Sequence, residues 1–240
     1  MFKKLKQFFF RDKDTDPETA YDLWAPDYDN QPRNLMLELD EQVFSILLKE
    51  IHLKGHSVTD IGCGSGRHWK KIMDKEPGQL TGYDVSAVML QSLRKKFPEA
   101  SVYKASGYKL THSSDGAVQV IISTLSLAHF ESLAKLFGEW NRILQTGGYI
   151  LITDFHPVAL QKGAKRSFRH NDKTVNVRNF IHLLPEIQRL AGRLNWQVIR
   201  LMEKEIDSTV KGLYEEQDAL AAYESFRGTP IIYGMLLKKN

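Results

Sequence analysis

The most constraining feature of the chain is one run, Val58-Thr59-Asp60-Ile61-Gly62-Cys63-Gly64-Ser65-Gly66, in which an apolar strand passes directly into a glycine-rich turn. Turning into a helix within so few residues requires backbone conformations that glycine adopts at little cost. The helix that follows then points its free N–H groups at whatever lies above the turn. A strand-turn-helix unit of this kind places the chain among α/β folds with a largely parallel sheet.

The rest of the sequence repeats the unit. Apolar Leu39, Val43, Ile46, Leu47 and Ile51 mark a helix that ends at Gly55, before a first strand at 58–61. A helix from about Arg67, a strand ending at Tyr83-Asp84, a helix stopped before Pro98 and a strand at 102–105 follow. The continuous apolar run 118–122 reads as a strand buried on both faces. After it come a helix carrying Leu133, Leu136, Phe137, Trp140, Ile143 and Leu144, terminated at Gly147-Gly148, and a fifth strand at 149–155. The rhythm then breaks into a polar, basic insertion at about 157–184. A helix opening at Pro185, a strand at 197–206 and a last strand at 231–237 complete the pattern.

Composition narrows the class. Hydrophobic residues make up 42% of the 240 and charged ones 26%, which suits one domain with a substantial core. The 33 basic residues are offset by 29 acidic ones, so the charge balance does not imply nucleic acid as a partner. A single cysteine rules out an internal disulfide and favours a reducing, cytoplasmic setting. No apolar run approaches the roughly 20 residues needed to span a bilayer, and no metal-ligand spacing appears. The expected organisation is an N-terminal basic and aromatic segment at 1–18 and a domain at 19–240. Within the first segment, residues 1–11 interleave Lys and Arg with Phe and suggest weak contact with an anionic membrane surface.

In open α/β sheets ligands bind beyond the carboxyl ends of the strands, so the informative residues should lie in those loops. Asp84 ends the second strand 22 positions after Gly62, where a carboxylate can accept both ribose hydroxyls or cap the next helix. A dinucleotide fingerprint needs glycine at position 67, where this chain has Arg67; the third glycine is Gly66. A nicotinamide cofactor is thereby disfavoured but stays as an alternative.

Three stretches, Asp-Ile-Gly-Cys-Gly-Ser-Gly at 60–66, Tyr-Asp-Val-Ser at 83–86 and Arg-Ile-Leu-Gln-Thr-Gly-Gly at 142–148, resemble the class I S-adenosylmethionine-dependent methyltransferases. Tyr-Asp-Leu-Trp-Ala-Pro-Asp-Tyr-Asp at 21–29 is similar to the N-terminal motif of the ubiquinone, menaquinone and natural-product branch. The resemblance covers about residues 20–155. It implies a Rossmann-like, doubly wound sheet of seven strands with an antiparallel last strand, and S-adenosylmethionine as cofactor. It further implies a cofactor site built from Tyr21, Tyr28, Asp60, Gly62, Cys63, Gly64, Gly66, Asp84, Val85, Met89, Ser106, Gly107 and Ser123. Ser106-Gly107 departs from the acid and alanine that often contact adenine in the family, as does Val118-Gln119 from the usual Phe-Asp. The fourth-strand loop, Ser123 to His129, lacks the Asn/Asp-Pro-Pro-aromatic signature of nucleic-acid amino methylation. A small-molecule acceptor with an oxygen, carbon or nitrogen nucleophile is expected, derived from a quinone, polyketide or sugar.

An acceptor hydroxyl requires a base, and three histidines follow strands or lie in the insertion: His156, which leads because of Asp154 nearby, His129 and His182. The insertion also carries Lys162, Lys165, Arg166, Arg169, His170, Lys173 and Arg178 beside Phe168 and Phe180, a pattern suited to a basic lid over an acidic or phosphorylated acceptor. A chain that keeps the cofactor pocket without turnover, as an accessory protein, would read the same way.

Overall fold

The computed structural model describes residues 14–31 and 33–240. The membrane contact expected of residues 1–11 lies outside the described residues. Helices α1 (Pro17–Tyr28) and α2 (Leu35–Leu48) precede β1 (Ser57–Ile61), α3 (Trp69–Met73), β2 (Gln79–Asp84), α4 (Ala87–Lys96) and β3 (Ser101–Lys104). Then come β4 (Val118–Thr124), α5 (Leu133–Ile143), β5 (Leu144–Phe155), α6 (Pro157–Gln161), β6 (Ser167–His170) and β7 (Lys173–Asn176). The chain closes with α7 (Leu184–Arg193), β8 (Trp196–Glu205), α8 (Lys211–Glu216), α9 (Leu220–Phe226) and β9 (Pro230–Lys239).

Seven strands form one sheet in the order β3-β2-β1-β4-β5-β9-β8. Neighbours from β3 to β5 are parallel, and β9 is antiparallel to both β5 and β8. The winding reverses between β1 and β4, which opens a crevice at their carboxyl ends. Gly147-Gly148 does not separate helix from strand as the sequence suggests. Pairing starts at Val118↔Leu144 and resumes at Val120↔Tyr149, so residues between Leu144 and Tyr149 bulge out within β5.

Each face of the sheet has its own core. On one, α2 buries Leu39, Val43, Phe44 and Leu47 against Val120, Ile122, Leu151 and Leu236. Close approach depends on Gly234 in β9, where a Cβ would lie 2.3 Å from Val43 Cγ1. On the other face, α5 buries Leu136, Phe137, Trp140 and Ile143, and α7 adds Ile187 and Ala191. Truncating a fully buried leucine such as Leu136 in a core of this kind costs about 2–5 kcal/mol.

Three segments above the carboxyl edge were not resolved into elements by periodicity. The first is α1, capped by Asp16, whose carboxylate accepts from Thr19 N at 3.0 Å, with Pro17 in the first turn. This helix joins Asp16–Glu18 to the folded domain, ahead of the boundary expected at residue 19. The second is the insertion, where β6 and β7 form a separate hairpin. Thr15 N donates to Asn176 O and Arg178 N to Thr15 O, both at 2.8 Å. Trp24 of α1 stacks on Phe168 at 4.5 Å between ring centroids, inside a small cluster with Ala20 and Val177. The third is 207–228, folded as α8 and α9, whose Leu213 and Tyr223 join the α2-side core.

Candidate functional site

The glycine turn after β1 is shaped by two demands. Gly62, Gly64 and Gly66 all have positive φ, at 76°, 51° and 77°. At Gly62 a Cβ would also sit 2.6 Å from Ser126 Cβ, so both conformation and space require glycine there. Gly62 N and Cys63 N donate to Tyr83 O, and Gly64 N donates to Asp84 Oδ2 at 2.8 Å. Asp84 Oδ1 accepts from Ser86 N at 2.8 Å. The turn behind the glycines is anchored by buried Asp40 of α2, which accepts from Arg67, His68 and Thr153. Although burial opposes its charge, Arg67 and His68 hold the Asp40 carboxyl well below the usual range.

A cleft of about 240 Å³ opens over this turn. Its walls include Gly62, Gly64, Asp84, Val85, Met89, Ser106, Gly107, Tyr21, Tyr28 and His129. Ser126, Tyr108 and Phe130 also line it, and sequence reasoning did not find them. A smaller cavity of about 30 Å³ continues past Gly62, Gly64 and Tyr28 to Asp60, Cys63, Arg67 and Thr124. Asp60 Oδ2 accepts from Trp69 Nε1 at 2.9 Å, while Oδ1 is buried without a partner among the described residues. Burial raises the Asp60 carboxyl to about 6 despite the indole N–H. Burial likewise raises Asp84 to about 6, against the opposing Ser86 and Gly64 amides, and pushes the Cys63 thiol up.

Two expected cofactor residues lie elsewhere. Gly66 packs under Leu93 and Trp69 and lines neither cavity. Ser123 is fully buried, donates to Ile61 O at 3.0 Å and meets Ser126 Oγ at 2.6 Å. It braces the loop that carries Ser126.

The partition between this cleft and a second cavity is made by α1, because Tyr21 and Tyr28 line both. Ser86 Oγ donates to Asp22 Oδ1 and Ser65 Oγ to Asp29 Oδ1, each at 2.6 Å, fixing α1 over the glycine turn and the start of α4. The second cavity, about 250 Å³, is walled by Trp24, Met36, Leu125, Phe155, Tyr214 and Phe226, with Arg166 among them.

The three histidines are all committed to the framework. His156 caps α6: Nδ1 accepts from Val158 N at 3.2 Å, so Nε2 carries the proton toward Glu203 at 2.7 Å. It is 3% exposed and lines neither the cleft nor the second cavity, and Asp154 turns to the Ala128 and Phe155 amides instead. His182 Nε2 donates to Phe130 O at 2.7 Å, again away from both cavities. His129 reaches the cleft, but Nδ1 donates to Arg178 O at 2.9 Å and Nε2 faces Tyr21 Oη at 3.0 Å and Arg166 Nη1 at 2.8 Å. Burial and the Arg166 charge lower His129 to about 3, so the ring is neutral near pH 7, with its one proton on Nδ1 and Nε2 left as an acceptor. His156→Ala should therefore lower stability by about 1–2 kcal/mol through the lost cap, read as a lower melting temperature, with affinity for S-adenosylhomocysteine unchanged.

The basic lid resolves into one buried cation. Lys165, Arg169, Lys173 and Arg178 are exposed, whereas Arg166 is 6% exposed and turned inward. Nothing in the spacing of the basic residues distinguishes it.

Comparison with known proteins gives a consistent result. Residues 59–152 match a family model described as a methyltransferase domain. A demethylmenaquinone methyltransferase from Chlorobaculum tepidum is 30% identical over 140 residues, 56% of this chain and 57% of its own length. The ubiquinone/menaquinone biosynthesis C-methyltransferase UbiE of Campylobacter jejuni (strain 81116) is 27% identical over 145 residues, 55% of this chain and 60% of its own. The chain thus spans little more than half the length of these curated relatives. An S-adenosylmethionine dependent methyltransferase from Mesorhizobium loti superposes with a TM-score of 0.62 at 18% identity, covering 81% of this chain and 96% of its own. Residues 59–152 thus match a methyltransferase domain, and the fold is one shared with S-adenosylmethionine-dependent methyltransferases.

Proposed function

We propose that the chain transfers a methyl group from S-adenosylmethionine to a small acceptor held in the second cavity, whose nucleophile reaches the methyl carbon where the two cavities meet at Tyr21 and Tyr28 and displaces S-adenosylhomocysteine. The observation that carries this reading is the orphaned, buried Asp60 Oδ1 at the far end of a cleft that begins at Asp84. A ligand with a cationic amine at one end and a ribose in the middle suits those two carboxylates. Asp84 would accept from the ribose hydroxyls, and Val85, Met89, Ser106 and Gly107 would enclose the adenine. The Gly62 and Gly64 backbone would pass under the methionine part, with Tyr28 over it.

When bound, the cofactor supplies a methyl group on a positively charged sulfur. What the protein contributes is alignment and exclusion of water: α1 and the hairpin insertion close over the carboxyl edge, and the Trp24–Phe168 stack seals the outer side. With all three histidines committed to the framework, we assign none of them as a base. The apolar and aromatic walls of the second cavity favour a ring of quinone or polyketide type over a sugar. The quinone-directed names of the relatives at 27–30% identity agree with this. The lone buried cysteine suits a cytoplasmic setting, and no described helix is long and apolar enough to cross a membrane.

The test is turnover with methyl-labelled S-adenosylmethionine and a panel of small phenols, carboxylic acids and amines. Acceptor-dependent release of S-adenosylhomocysteine with label in the acceptor supports the reading. Tight cofactor binding with no label transferred to any acceptor class would favour an accessory protein.

A further inference from the structure

Arg166 is the one described arginine buried at the wall of the second cavity, and its hydrogen bonds are unevenly distributed. Nη1 donates to Tyr21 Oη at 2.6 Å and to the carbonyl of Leu125, and lies 2.8 Å from His129 Nε2. Among the described residues, Nε and Nη2 have no hydrogen-bond partner, and no carboxylate lies within ion-pair distance. The carboxylate whose charge acts on Arg166 is Asp154, whose two oxygens are taken by the Ala128 and Phe155 amides. Neither free nitrogen is among the buried atoms that are sealed off without a partner. With Arg166 lining the cavity, these two nitrogens have access to it.

An arginine does not lose its charge in a protein, so burial without a counter-ion is costly unless something else supplies the anion. The surrounding contacts hold the guanidinium in place. Its Cζ lies over the Phe155 ring, 4.9 Å from the centroid, and Nη1 is fixed by the phenol, the carbonyl and the imidazole. What remains is a preorganised pair of donors, Nε–H and Nη2–H, suited to two oxygens of a planar anion. The rest of the wall is apolar or aromatic: Trp24, Leu35, Met36, Leu125, Phe155 and Phe226.

We infer that the second cavity selects an acceptor carrying an oxyanion, a carboxylate or an ionised phenol, on an apolar body, with Arg166 as its counter-charge. The inference rests on the methyltransferase reading for the word acceptor, but the anion preference is a property of the cavity alone. Because Tyr21 bonds Arg166 and also lines the cofactor cleft, the bound anion sits one side chain away from the place where the two cavities meet.

The test is ligand titration by NMR with matched probes: cinnamate against cinnamamide, and 4-nitrophenolate against nitrobenzene at a pH where the phenol is ionised. Each pair is measured with and without saturating S-adenosylhomocysteine, on the wild-type chain, Arg166→Lys and Arg166→Gln. The wild type should prefer at least one anion over its neutral match by roughly 10- to 100-fold. Which pair shows the larger ratio tells carboxylate from phenolate. Arg166→Lys should retain part of the preference and Arg166→Gln should abolish it. Equal binding of anion and neutral match by the wild type would overturn the inference, as would no binding of any anion at millimolar concentration, or a full preference surviving in Arg166→Gln. If Arg166→Gln does not fold, the wild-type ratios and Arg166→Lys decide. Failure of the methyltransferase reading would show separately, as absence of S-adenosylhomocysteine binding by the wild type.

Discussion

Asp84→Ala should weaken binding of S-adenosylhomocysteine by roughly 100-fold, about 3 kcal/mol. The carboxylate has one amide donor on each oxygen, Gly64 N on Oδ2 and Ser86 N on Oδ1, both at 2.8 Å. Each oxygen therefore keeps acceptor capacity for a ribose hydroxyl, and a charged acceptor in a buried site makes the stronger class of hydrogen bond. The same amides fix the carboxylate before the ligand arrives. Asp84→Asn, which keeps one acceptor, should lose less. Asp84→Ala leaves both the Gly64 and Ser86 N–H groups without their acceptor and Asp84→Asn one of them, so both variants should melt a few degrees lower, and affinity is read by calorimetry well below the transition. An unchanged dissociation constant in Asp84→Ala would remove the ribose assignment.

The second large effect is on pH. Asp60 and Asp84 are both raised to about 6 by burial, against an ordinary value near 3.8. Between those two values the folded, ligand-free protein holds protons that the unfolded chain has released, so its stability declines as pH rises through that window. A cationic amine beside Asp60 and hydroxyls on Asp84 favour the charged carboxylates and reverse the preference. Affinity for S-adenosylhomocysteine should be greatest above pH 7 and fall as pH drops through 6. Between pH 7.5 and 5 the loss should be about 10-fold if one carboxylate carries the linkage and approach 100-fold if both do. The ligand-induced rise in melting temperature should shrink in parallel. Calorimetric titration across that range measures it, and a flat profile would mean that neither carboxylate meets the ligand in its charged form.

How much of this could be read in the chain depends on what each signal reports. The glycine turn, Asp84 at the end of β2 and the apolar runs of β4 and β5 are local features, and they place the cleft at the carboxyl edge with seven strands around it. The glycines of the turn do not all serve one purpose, however. Gly62 and Gly64 face the cleft, whereas Gly66 makes room for Leu93 and Trp69, a distinction set by packing from α4 that no spacing conveys. Ser123 and Ser126 stand three residues apart at the end of β4, yet the first is sealed under Ile61 O and the second lines the cleft. The framework contacts of the histidines are hidden from the sequence for a similar reason. Position after a strand says where a side chain starts but not that Val158 N and Glu203 will occupy both nitrogens of His156. Signals for α1 were present in Asp16-Pro17, a cap followed by a first-turn proline, although the apolar pattern of the helix is weak. The place of Arg166 is set by long-range contacts with Tyr21, Leu125 and His129, and one of six lysines and arginines in a polar insertion carries no local mark of it.

The most direct measurement is calorimetric titration of the whole chain with S-adenosylmethionine, S-adenosylhomocysteine and NADH at pH 7.5. Micromolar binding of both sulfur ligands, with none detectable for NADH, is the expected result. Binding of NADH alone, or of none of the three, would contradict the assignment of the Asp60–Asp84 cleft.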